Sequence, residues 1–184
     1  MANLLYVDNS NVWIEGMRVA AVASGAAPDI VTAMNGHIVD YGWKLDFGRL
    51  FSFAGGQHAD VKRAVLYGSR PPENDSLWAV ARNKGFEVIV HDRNVENKEK
   101  KIDVHIATDI VADSYELLDV DTDEITLVAG DKDYVPAVER LLKRGITFEV
   151  VFWAHAASEL RIACSRFVSL DQYLEHLRLS PQVS

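Results

Sequence analysis

Six short apolar runs recur along the chain, and most are followed by a stretch with helical spacing. They are "LLYVD" (4–8), "RAVLYG" (63–68), "FEVIV" (86–90), "EITLVAG" (124–130), "ITFEVVFW" (146–153) and "FVSL" (167–170). A strand that is apolar at every position has no solvent-facing side. Joined through helices, such strands predict an α/β fold with a central, mostly parallel sheet covered on both faces. The intervening helices are expected at 75–85, 102–118, 134–145, 157–164 and 171–179, with Gly85 and Gly145 as stops. In sheets of this kind ligands sit outside the carboxyl ends of the strands. Asp8 and Asp131 both fall at such ends.

The 184 residues suit a single domain, with 48% hydrophobic and 25% charged residues as in ordinary globular chains. Residues 16–45 break the strand–helix rhythm. They read as an insertion, partly helical at its start, that serves as a lid, a contact surface or a mobile segment. The apolar stretch 19–33 is the candidate contact surface of a homo-oligomer. The single cysteine, Cys164, excludes an internal disulfide and a CxxC metal site, which points to a reducing, cytoplasmic setting. No stretch reaches the length of a membrane span, and "MANLLYVDNSN" lacks the build of a signal peptide. A net charge of −8 argues against non-specific nucleic-acid binding, unless a metal offsets converging acids.

Each of those acids has an ordinary reading beside a functional one. Asp8 ends a strand in "YVDNSN", where Asp and Asn also favour turns. On a helical wheel Asp103 falls inside the arc of Ile102, Ile106, Ala107, Ile110 and Val111. A carboxylate facing the core is costly unless it is paired or bound to a metal, and an N-cap is the rival reading. Asp109 falls at the edge of that arc, as a solvated acid or an outer partner of a metal. Asp133 suits the N-cap of a helix starting at Tyr134, with Pro136 in its first turn, but that leaves Asp131 unexplained. Taken together, Asp8, Asp103, Asp131 and Asp133 map to one end of one sheet. Crowded carboxylates raise one another's pKa values. An oxygen-only set suits Mg²⁺ or Mn²⁺, hard ions that activate water and stabilise charge on a phosphate.

Three stretches, "YVDNSNVW", "KKIDVHIATDIV" and "LVAGDKDYVPAVERLLKRGITFEVVFW", resemble the signature blocks of the NYN domain of the PIN-like nuclease superfamily, with the LabA-like bacterial group nearest. The D-x-x-N element falls on Asp8 and Asn11. The K-x-V-D-type element falls on Lys100, Lys101 and Asp103. The G-D-x-D-[FY]-x-P element falls on Gly130, Asp131, Asp133, Tyr134 and Pro136. The S-x-x-L look of the family recurs in "ASELRIACSRFVSLD". The resemblance implies a three-layer PIN-like fold. It implies a metal-dependent ribonuclease site of Asp8, Asp103, Asp131 and Asp133, with Asn11 orienting an acid or the scissile phosphate. Two positions depart from the pattern: Ala129 replaces a serine, and Ser165 stands where many relatives carry an acid.

A nucleic-acid strand, RNA rather than DNA, needs positive charge around such a centre. Lys98, Lys100 and Lys101 lead into Asp103, and Arg70 follows the second strand. Trp13, Tyr41 and Trp43 are candidates for stacking on unpaired bases, against an ordinary role in the core. His105 falls opposite the apolar arc and reads as a surface histidine. A haloacid-dehalogenase-like phosphatase would need a second Asp where Ser10 stands, and no glycine-rich dinucleotide fingerprint supports a Rossmann oxidoreductase. The competing reading is a non-catalytic RNA- or protein-binding module on a nuclease fold.

Overall fold

The computed structural model describes residues 2–69, 76–91 and 98–180, the side chains of 98–101 excepted. Its sheet has the strands β1 (Asn3–Asp8), β2 (Val61–Ser69), β3 (Glu87–His91), β4 (Glu124–Val128), β5 (Thr147–Phe152) and β6 (Arg166–Ser169). They lie in the order β3-β2-β1-β4-β5-β6, and every pairing is parallel. All six residues of β1 are buried, as the central position requires. The expected parallel α/β sheet is therefore present.

Helices cover both faces. On one lie α1 (Asn9–Ala23), α3 (Phe47–Gly55) and α8 (Leu174–Leu177), with α2 (Ile30–Asn35) against α1 and α4 (Ser76–Asn83) beside α3. On the other lie α5 (Lys98–Glu116), α6 (Val135–Leu142) and α7 (Ser158–Ala163). The chain leaves β1 toward the first face and β4 toward the second. Since β1 and β4 are neighbours, their carboxyl ends flank the point where the winding reverses. Among the described residues, no helix is long and apolar enough to cross a membrane.

The sequence reading missed α3. Its signal is Asp46, whose side chain accepts from the amides of Gly48 and Arg49 and caps the helix, followed by the buried spacing Phe47, Leu50, Phe51 and Ala54. Segment 16–45 is built into the fold. It holds the second half of α1 and all of α2, and Trp43 is fully buried. Trp43 meets Trp153 edge-on at 5.8 Å, and its indole Nε1 donates to the Leu174 carbonyl. Gly16 lets the two indoles reach α1, since a Cβ there would lie 2.6 Å from Trp43.

Helix α5 is seated by polar contacts as much as by apolar ones. Ile102, Ile106 and Ile110 enter the core. Interleaved with them, Asp113 accepts from the Tyr6 hydroxyl at 2.6 Å and from Arg63 at 2.5 Å. Asp109 accepts from the Tyr67 hydroxyl at 2.5 Å. Burial, and then the bond to the neighbouring aspartate, raises both phenol pKa values, so the tyrosines stay protonated donors. Arg63 also holds Glu87 of β3 in a two-pronged pair. Replacing Asp113 by Ala leaves a buried phenol and part of a guanidinium without an acceptor. Urea unfolding is expected to register a loss of about 3 kcal/mol or more. Tyr6→Phe, which spares the Arg63 pair, is expected to cost about 1 kcal/mol.

Candidate active site

Three carboxylates meet at the winding reversal. Asp8 closes β1, Asp131 follows β4, and Asp103 reaches in from the second turn of α5. One oxygen of each lies within 4.8 Å of the others. The N-cap reading of Asp103 fails, because α5 begins at Lys98 and places the residue inside the helix.

Among the described residues, neutral donors reach each of the three. Asp8 takes extended backbone angles and caps α1, its Oδ1 accepting from the Asn11 amide at 3.1 Å. Asn11 then ties α1 to the end of β4. Its Oδ1 accepts from the Gly130 amide at 2.8 Å, and its Nδ2 donates to Asp131 Oδ2 at 3.2 Å. Gly130 is required there by space, for a Cβ would sit 2.2 Å from the Phe152 ring. Below the carboxylates the buried Tyr134 hydroxyl donates to Asp103 Oδ1 at 2.9 Å and lies 3.4 Å from Asp8 Oδ2. Sequence reasoning gave Tyr134 no role beyond starting a helix. Its signal was an aromatic hydroxyl one residue beyond the acid pair.

Asp8 is 5% exposed. Burial pushes its carboxyl from 3.8 up to about 7, with the charges of Asp103 and Asp131 adding to the rise and the Asn11 amide opposing it. Burial, followed by the charges of Asp8 and Asp103, pushes the Tyr134 phenol well above its ordinary value, so it acts here as a donor. A desolvated, partly protonated carboxyl beside two further acids is a donor set that a divalent cation fits. Among the described residues the ligands here are oxygens, and the ion would replace the proton as compensating charge.

Asp133 lies apart from this trio. It occupies a one-turn 3₁₀ helix (Lys132–Tyr134) and is exposed. It does not cap α6, which starts at Val135 with Tyr134 as the capping residue and no side-chain cap bond. Instead it lines an open cavity of about 630 Å³ that shares Asp103 with the trio. Lys132, which the sequence reading passed over, stands on the same wall.

The nucleic-acid contacts expected at Arg70 and at the side chains of Lys98, Lys100 and Lys101 lie outside the described residues. Of the aromatic candidates for stacking, Trp43 is core and Trp13 is half-buried against Phe47, while Tyr41 is 80% exposed. His105 is not a plain surface residue. A ring nitrogen lies 2.9 Å from His91, and Nε2 lies 3.5 Å from Asp109, whose carboxylate is held by Tyr67 rather than by the trio. Ser165, at the position where an acid was looked for, accepts from the Phe148 amide through its Oγ at 3.0 Å.

A parallel sheet with acids gathered at its reversal point is the architecture of the PIN-like superfamily. Residues 10–171 match the NYN domain, and the chain belongs to that family, which is generally nuclease-like. No curated protein matches the chain. Among solved structures it is similar to a protein of unknown function from Vibrio parahaemolyticus, with a TM-score of 0.66 at 20% identity over 92% of each chain. That likeness concerns the fold.

The buried acid has a measurable consequence without any ligand. With a folded-state pKa raised from 3.8 to about 7, Asp8 contributes stability while it is protonated. That contribution is complete below the unfolded value and is lost as the pH rises through about 7. Asp8→Asn removes the titration and keeps an acceptor for the Asn11 amide. In chelator, the variant is expected to melt roughly 5 °C or more above the parent at pH 8, and to lose that advantage at pH 4. Thermal melts across that range check the sign.

Proposed function

We propose that the chain is a divalent-metal-dependent nuclease that hydrolyses phosphodiester bonds, with RNA as substrate before DNA. Asp8, Asp103 and Asp131 hold Mg²⁺ or Mn²⁺, and Asp133 stands outside this set on the side open to the strand. The observation that carries this reading is the convergence of three carboxylates within 4.8 Å, one of them desolvated, at the reversal point of a nuclease-like fold.

Such an ion, when bound, activates water and offsets the charge that develops on the phosphate. The chain's own residues prepare the place. The α1 cap holds Asp8 through Oδ1 and the Tyr134 hydroxyl lies against Oδ2, so the carboxylate is aimed before any ligand arrives. Asn11 sets the rotamer of Asp131, the exposed member on the side open to a strand. Tyr134 keeps Asp103 turned toward Asp8 and fills the space beneath them, which excludes water from that side. Read from the sequence, Lys98, Lys100, Lys101 and Arg70 are the cations proposed to meet the strand.

The test is cleavage of labelled single- and double-stranded RNA and DNA with Mg²⁺, with Mn²⁺ and with chelator. The parent is expected to cleave RNA only with metal, and Asp131→Asn to fall to background. Asn11→Ala, which removes an outer partner of the acids, is expected to lose roughly 10–100-fold. Metal is also expected to raise the melting temperature of the parent at pH 8 more than at pH 5, and not that of Asp131→Asn. Absence of cleavage by the folded protein on every substrate would favour the binding-module reading. Cleavage unchanged in Asp131→Asn would remove the site.

A further inference from the structure

The cavity beside the acid trio has a composition that metal binding does not use. Val104 and Ala107 of α5 and Val135 and Pro136 of α6 give it an apolar surface. Val104 is 65% exposed, although a β-branched apolar side chain there contributes nothing to the core. Pro136 stands in the first turn of α6, where its ring fixes the backbone, so that part of the surface is rigid. The volume of about 630 Å³ falls within the range of small-ligand sites. Because Asp103 belongs to both the trio and the cavity wall, an occupant lies next to whatever the trio holds.

The charged residues on the wall are of two kinds. Lys132 is a point cation suited to a phosphate. Asp133 and Glu159 offer carboxylates. The Glu159 carboxyl is held below its usual range by its own backbone amide and the Ser158 hydroxyl, with Lys132 adding to this. An ionised carboxylate only accepts hydrogen bonds.

We propose that this cavity is a nucleobase subsite that takes one unpaired base of the strand lying at the acid trio, its donor-bearing edge turned to Asp133 and Glu159 and its neighbouring phosphate to Lys132. The proposal rests on the nuclease reading for the position of that strand. The apolar surface meets the flat face of the base, and the acceptors read its edge. A base inside a duplex has both faces stacked and its edge paired, so the substrate is single-stranded at this nucleotide. Guanine presents adjacent N1–H and N2–H₂ donors that match a carboxylate in two parallel bonds. Uracil presents carbonyl oxygens on both sides of its one N–H, which sets acceptor against acceptor.

The test titrates the ¹⁵N-labelled 184-residue chain with GMP and, separately, with UMP in Mg²⁺ buffer, following the amides of Val104, Ala107 and Val135. GMP is expected to shift these amides and to bind roughly tenfold or more tightly than UMP. Val104→Glu, at an exposed position, is expected to keep a native spectrum and to lose about tenfold or more in GMP affinity, because it sets a charge against the face of the base. Glu159→Gln is expected to narrow the GMP–UMP difference. Equal binding of the two nucleotides, shifts confined to other surfaces, or unchanged GMP affinity in a folded Val104→Glu would each overturn the subsite. The two readings fail separately. Base binding at these amides without cleavage removes the nuclease and keeps the subsite, whereas cleavage without these shifts does the reverse.

Discussion

The position of α5 depends on hydrogen bonds from tyrosines to aspartates. Tyr6 and Tyr67 rise from adjacent strands and donate to Asp113 and Asp109, one helical turn apart. Tyr134, from the turn after β4, donates to Asp103 further up the same helix. A helix packed by isoleucines alone could slide or rotate at modest cost, because apolar contact is non-directional. Hydrogen bonds to the buried Asp113 and the half-buried Asp109 and Asp103 are directional and expensive to leave unmade. They hold the register of α5 against the sheet, and that register decides whether Asp103 meets Asp8.

The site departs from what stability alone would select. Asp8 is a buried carboxyl whose ionisation is opposed by its surroundings, and it stands beside two further acids. Nothing in the packing requires it, since an asparagine would cap α1 as well. Strain of this kind is common where a fold keeps groups ready for a ligand. Asn11 fits the same pattern. One amide side chain satisfies the Gly130 backbone and aims Asp131, so the ends of β1 and β4 act as one unit. The adjoining cavity extends the centre from a point to a surface. On the proposed reading, its apolar walls and the carboxylates of Asp133 and Glu159 would meet a base, while the trio would meet the phosphate through a metal. A net charge of −8 is then compatible with a nucleic-acid partner, because recognition is local.

Much of this was legible in the residues. The mostly apolar runs announced parallel strands, and all six form, although the edge strands β3 and β6 are only half-buried. Asp103 stood out because it interrupts an apolar arc, and the structure brings it to Asp8 and Asp131. Where the reading failed, local chemistry had more than one solution. Asp133 has the spacing of an N-cap, yet the chain makes a 3₁₀ turn first and the cap falls on Tyr134. Asp103 resembled a helix start because the end of a charged stretch does not reveal where the first turn closes. Helix α3 was hidden by its short length behind the irregular segment 16–45, and His105 looked solvated because its partners lie on β2 and β3.

By itself the sequence determined the class of fold and the set of acids, because periodicity and residue type are local properties of a chain. Tertiary structure alone decided three things. It separated Asp133 from the trio, it made Tyr134 a donor to the acids beside Asn11, whose orienting role the family resemblance had implied, and it placed Lys132 and Val104 on one cavity. Each depends on the few ångströms that separate elements far apart in the chain, and those distances are fixed by how α5 and the turn after β4 pack across the sheet.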